Sequence, residues 1–162
     1  MTDELYLGRK WVFRAHGRQV VFVKKPNESG EHVLMKAILW ALYLPSYEDL
    51  AVEVAVGDRF KPDLVSLAAD GAPRFWGEAG DVRAQKIRSL ARRYRNTHFA
   101  LAKWDVRLAP YISLVQGALA GLNRAAAFDL LSIPADSADR FLDENGVLRI
   151  SHRDVEWIRI GQ

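Results

Sequence analysis

The sequence predicts an α/β (α+β) fold, and three observations carry that prediction. Apolar residues recur at helical spacing over 28–44 and again over 83–95. Short alternating or continuously apolar runs at 50–56, 60–68, 74–79, 98–104 and 127–133 read as strands. Turn formers, among them Asp70-Gly71 and Pro134, separate these runs. In order, the middle of the chain reads α-β-β-β-α-β, and a β-hairpin is expected at each end.

The first hairpin is expected from runs at 10–14 and 18–24 around a His16-Gly17 turn, with Trp11, Phe13, Val21 and Val23 available for packing. The helix over 28–44 is opened by Pro26-Asn27-Glu28-Ser29 and closed by Pro45. Its wheel carries two apolar stripes. Glu31 falls in line with Leu34, Met35, Ile38 and Leu42, and Val33, Ala37, Trp40 and Leu44 make the second. His32, Lys36 and Tyr43 share a more polar side. Over 50–56, Val52, Val54 and Val56 share a face, which leaves Glu53 to solvent. A helix near 107–123, a short helix after Pro134, and a terminal hairpin from 147–150 and 155–160 complete the reading.

A chain of 162 residues suits one domain, 1–162. An apolar fraction of 49% with five tryptophans excludes a disordered chain. The absence of cysteine excludes disulfides, thiolate catalysis and sulfur-ligated zinc. The first ten residues carry acids and no apolar run, unlike a signal peptide. The most apolar stretch, 33–44, is too short for a membrane span and contains Lys36. A cytoplasmic location without membrane association is the expectation.

Asp-Gly between two strands signals a two-residue turn, because both positions require positive φ. That register sets Ala69 against Ala72, Ser66 against Phe75, Val65 against Trp76 and Asp63 against Glu78. Two carboxylates on one face at that spacing repel each other unless a cation, a shared proton or an arginine intervenes. Mg²⁺ is suited to the role, since it uses one or two carboxylates plus water and phosphate. Glu31, an acid on a packing stripe, is expected near this pair; a first-turn acid also complements the helix dipole.

The charge distribution adds a second signal. Residues 83–95 hold Arg83, Lys86, Arg88, Arg92, Arg93 and Arg95 and no acid, so the rest of the chain is net acidic although the whole is +3. Such a segment is either a polyanion-binding stripe or an ordinary solvated face. Its apolar arc is Ala84, Ile87, Leu90, Ala91 and Tyr94, with Lys86 at one margin.

The ordered set of a helix with a glutamate, then Pro62-Asp63, then Glu78 ahead of a basic helix resembles the PD-(D/E)XK nuclease superfamily. The stretches Pro26-Asn27-Glu28-Ser29-Gly30-Glu31, Phe75-Trp76-Gly77-Glu78-Ala79-Gly80, Lys86-Ile87-Arg88, Asn145-Gly146-Val147-Leu148 and Val155-Glu156-Trp157 are similar to its YaeQ branch. The resemblance implies a restriction-endonuclease-like αβββαβ core and hydrolysis of phosphodiester bonds with Mg²⁺ or Mn²⁺. It implies Glu31, Asp63 and Glu78 as the acidic set, with Asp63 and Glu78 on the metal. Gly80 stands where the superfamily motif places its lysine, so the resemblance points to a substitute on the next helix: Lys86, with Gln85 and Arg83 as alternatives. Arg83, Arg88, Arg92, Arg93 and Arg95 would then contact the phosphates of DNA or RNA.

Other chemistries lack a signature. His16, His32, His98 and His152 have no metal-ligand spacing. There is no G-x-S-x-G elbow and no phosphate-cradling glycine loop. Trp11, Trp40, Trp76 and Trp104 read as core. Two functions follow: a metal-dependent nuclease, or a degenerate nuclease fold that binds nucleic acid or protein without turnover.

Overall fold

In the computed structural model, which describes residues 9–161, β1 (Lys10–Ala15) and β2 (Arg18–Val23) form the N-terminal hairpin. His16 and Gly17 take φ of 52° and 72°, the two left-handed positions of a type I′ turn. Phe13 and Phe22 meet edge to face beneath it. α1 (Gly30–Tyr43) begins at Ser29, whose side chain accepts the His32 N–H as an N-cap. Both of its apolar stripes are buried.

The main sheet contains β3 (Ala51–Val52), β4 (Leu64–Leu67), β5 (Pro73–Ala79), β6 (His98–Trp104), β7 (Phe128–Ile133) and β8 (Glu156–Ile160), adjacent in that order. β5, β6 and β7 are parallel and the other pairings antiparallel. α2 (Ala84–Arg93) and α3 (Ala109–Leu119) cover one face; α4 (Ser137–Phe141) follows β7. Alternation within the strands divides the interior in two. Leu64, Phe75, Ala100, Ala102 and Leu131 pack toward α1 and the hairpin. Trp76, Phe99, Leu101, Phe128 and Leu130 pack toward Ile87 and Leu90 of α2 and Val115 of α3. Trp11, Trp40 and Trp76 are buried core. The result is a mixed α/β fold, with no helix among the described residues long and apolar enough to cross a membrane.

The β4–β5 connection differs from the expected two-residue turn. Ala68 N–H donates to Ala72 O and Gly71, at φ 86°, closes a three-residue loop. Leu67 therefore pairs with Pro73, and Ala69 does not face Ala72. A second irregularity at Arg74 restores the expected register for Ser66–Phe75, Val65–Trp76 and Leu64–Gly77. Two offsets of one residue cancel before the chain reaches the acids.

Two further expectations are corrected. The strand over 50–56 ends at Val52, because Glu53 turns into the left-handed region with φ 58°. The C-terminal hairpin does not form. Val147 bridges Arg14 and Leu148 bridges Leu142, while 155–160 crosses to β7. Pairing with β7 brings Arg159 against the buried carboxylate of Asp129 at 2.8 Å, a neutralisation that a local hairpin would forgo.

Candidate functional site

Asp63 and Glu78 both lie at the C-terminal end of β5, near enough for the charge of Asp63 to act on Glu78. Regular β4–β5 pairing stops at Leu64–Gly77, one residue short of them. Asp63 bends out of the ladder: its N–H donates to Gly77 O at 3.2 Å, and its carbonyl accepts from Glu53 N–H at 3.0 Å. Its carboxylate lies across the strand end and accepts the Ala79 N–H at 2.9 Å. Glu78 turns toward α2, accepting from Trp76 Nε1 at 2.9 Å and facing Lys86 Nζ at 3.2 Å.

Both acids are held above the ordinary carboxylate range. For Asp63 burial is the main cause, opposed by the Ala79 N–H, Lys36 and His32. For Glu78 burial is followed by the negative charge of Asp63, which outweighs Trp76 and Lys86. Oδ1 of Asp63 and Oε2 of Glu78 take no hydrogen bond among the described residues.

Sequence reading missed the charged cluster that adjoins Asp63 on the α1 side. Glu28, just before the helix, faces Lys36 Nζ at 2.6 Å and the ring of His32. Lys36 also donates to Glu53 at 2.6 Å, so Glu53 is engaged instead of solvated. His32 Nε2 lies 3.0 Å from Ala79 O and 3.9 Å from Asp63 Oδ2. Burial alone would raise Glu28, yet Lys36, the Lys25 N–H and His32 hold it below the ordinary range. Burial would likewise lower Lys36, and the two glutamates hold it up. The signal was present as an i, i+4 series, Glu28–His32–Lys36. Glu31, by contrast, is exposed and borders a separate hollow with Leu34, Trp104 and Ala138. The acid that the α1 region contributes beside Asp63 is Glu28.

The basic helix is also arranged differently from a free cationic stripe. Arg88 donates to the carbonyls of Ala118 and Ala120, capping the end of α3. Arg93 forks onto Asp58, and Arg95 donates to Asn123 O. Arg92 is exposed on the outer side, at a hollow shared with Arg95. Arg83, at the start of α2, lines a groove with Arg59, Phe60, Gln85, Lys86 and the acid Asp81, which Lys103 pairs at 2.8 Å. There the Arg59 guanidinium and the Lys86 ammonium lie 4.6 and 5.0 Å from the Phe60 ring centre.

As a metal centre the donor set is minimal. Among the described residues no group of three or more His, Cys, Asp and Glu could hold an ion. An ion held by Asp63 and Glu78 alone would have to draw its remaining ligands from water and phosphate.

Searches by sequence find no matching family model and no matching curated protein. Comparison of structures does find similar folds. The YaeQ protein from Pseudomonas syringae superposes with a TM-score of 0.60 at 19% identity, over 83% of this chain and 71% of that one. The YaeQ protein from Xanthomonas axonopodis pv. citri gives 0.54 at 16% identity, over 76% and 72%. The chain shares the fold of these YaeQ proteins. At such identity the likeness concerns the fold alone.

Proposed function

We propose that this protein is a degenerate nuclease-fold protein that binds nucleic acid without turnover. In this reading the αβββαβ core is restriction-endonuclease-like, and the polyanion lies along the Arg59–Phe60–Arg83–Lys86 groove beside Glu78. One observation carries it: among the described residues the donor set stops at two carboxylates, one of which already faces an ammonium. The groove supplies cations for phosphate and an aromatic ring on which a base can stack.

The test is anisotropy titration of labelled DNA and RNA oligonucleotides at several salt concentrations. Affinity is expected to fall steeply with salt. Arg59→Gln with Arg83→Gln should flatten that slope, while Arg92→Gln should change it little. Salt-independent binding, or no binding to either nucleic acid, would overturn the reading.

A second reading, metal-dependent hydrolysis, is favoured by the mutual repulsion of Asp63 and Glu78 and by their free oxygens. Asp63 and Glu78 would hold Mg²⁺ or Mn²⁺, which supplies Lewis-acid activation of water when bound. Lys86 would place its ammonium beside the reacting phosphate. Millimolar Mn²⁺ should then raise the melting temperature, and Asp63→Asn should abolish the rise. Cleavage of the same oligonucleotides that requires the ion and Lys86 would replace the first reading with this one.

A further inference from the structure

Exposed sheet edges invite pairing with another strand, and proteins ordinarily blunt them. The two sheets here present four edges, and three are blunted. β1 is covered by 146–148: Arg14 N–H donates to Gly146 O and Leu148 N–H to Arg14 O, both at 2.7 Å. β2 exposes Val21 and Val23, but Arg18 and Lys24 flank them. An antiparallel self-pairing centred on Val21 would oppose those like charges. β3 is two residues long and ends in left-handed Glu53. β8 is neither covered nor shortened, although it carries Glu156 and Arg159. It runs five residues without proline or a bulge, pairs among the described residues with β7 alone, and leaves Trp157 38% and Ile158 36% exposed.

We propose that β8 is a self-association edge, on which two copies pair antiparallel about a two-fold axis at Ile158. A two-fold axis normal to the sheet keeps each side chain on its own face, so the axis must pass through a residue pair. Three centres are available near the middle of the strand. Centring on Arg159 opposes two guanidinium groups. Centring on Trp157 opposes Arg159 to the partner's Val155 and Glu156 to the partner's Ile158, so neither charge finds a match. Centring on Ile158 stacks two isoleucines at the axis, leaves each Glu156 opposite the partner's Ile160, and sets each Trp157 opposite the partner's Arg159, so one of the two charges finds a match. That guanidinium is fixed in advance, held by Asp129 at 2.8 and 3.0 Å and lying 5.3 Å from its own Trp157 ring. A cation held over one indole thus meets a second across the axis. The pairing continues the six-stranded sheet to a twelve-stranded one. An interface built on five-residue strands is small, so the dimer is concentration-dependent. The inference is independent of the nucleic-acid reading, because β8 and Glu78 lie on different strands.

Sedimentation equilibrium over the micromolar to millimolar range tests it. The weight-average mass should rise from 18.3 kDa toward twice that value. Ile158→Lys, which opposes two ammonium groups at the axis, and Trp157→Lys, which opposes an ammonium to Arg159, should each weaken association about tenfold or more. Val23→Lys, on the exposed hairpin face, should leave it unchanged. Hydrogen exchange on the unaltered protein is the second measurement: β8 amides should gain protection as concentration rises. A mass fixed at 18.3 kDa with no such gain would overturn the proposal and leave the edge to a strand from another protein. Association that survives both Ile158→Lys and Trp157→Lys would overturn it equally.

Discussion

Asp129 and Asp63 sit toward opposite ends of the parallel strands, and their charges are treated in opposite ways. Asp129 has no exposed surface, which alone would push its carboxyl up. It is nevertheless drawn down to about 2 by His98, Arg159 and Tyr43. Those donors lie at 2.7, 2.8 and 2.6 Å. Asp63 keeps 17% of its side chain exposed yet is pushed up by burial, which the one hydrogen bond it accepts among the described residues, from a backbone N–H, does not offset. Burial pushes both carboxyls up, and the number and charge of the donors decide whether that push is overcome. One end of the sheet is satisfied and stable. The other holds unspent negative charge, the condition expected of a site that awaits a ligand.

The sharpest way to break this contrast lies in the cluster beside Asp63. Lys36 is 2% exposed and joins Glu28 and Glu53. Lys36→Met removes the cation and strands both carboxylates, so a loss of about 3–5 kcal/mol is expected in urea unfolding at neutral pH. A loss below about 1 kcal/mol would show that water already neutralises this cluster.

Asp129→Asn comes next, at about 3 kcal/mol, since it leaves Arg159 and His98 without their carboxylate. The wild type carries its own test. The folded carboxyl at about 2 lies below the ordinary 3.8, so its contribution is fully present above pH 4 or so and is lost as pH falls toward 2. That contribution is about 2 kcal/mol. A variant whose stability has the same acid dependence as the wild type would sink this assignment.

Much of this was legible in the sequence, and the failures have physical causes. The N-terminal hairpin, α1 and the buried arc of α2 follow from spacing and turn chemistry, which are local. The expected register holds for Ser66–Phe75, Val65–Trp76 and Leu64–Gly77 although the turn differs, because the loop at 69–71 and the bulge at Arg74 cancel; the ladder stops before Asp63 and Glu78. Residue counting registers only their sum. The Glu28–His32–Lys36 series was readable as spacing, but following the apolar stripe led to Glu31 instead. Arg88, Arg93 and Arg95 illustrate the harder limit. Their partners, Ala118, Asp58 and Asn123, lie 30, 35 and 28 positions away, and no local pattern announces them. The same holds for the crossing of 155–160 to β7, which Asp129 helps to fix through Arg159.

The smallest expected effect has the opposite sign to the others. Because Asp63 and Glu78 are raised from 3.8 and 4.5 in the folded chain, the folded state favours their protonated forms, and ionisation at neutral pH costs stability. The cost is present above the raised folded values and is relieved as pH falls through them toward the unfolded ones. Asp63→Asn keeps an oxygen to accept the Ala79 N–H and removes the charge that burdens Glu78. Glu78→Gln keeps an acceptor for Trp76 and leaves Lys86, which is 24% exposed, to reach water. Each variant should therefore be more stable than the wild type at pH 7, by about 1 kcal/mol, the usual gain when a functional charge is removed. That advantage should shrink as the pH approaches 4 and the wild-type carboxyls protonate. Millimolar Mn²⁺ adds a decisive arm. If the carboxylates hold the ion, the wild type gains stability that neither variant does, and the order reverses. A destabilised Asp63→Asn at pH 7 without metal would place Asp63 with Asp129, as a structural acid whose charge the fold requires.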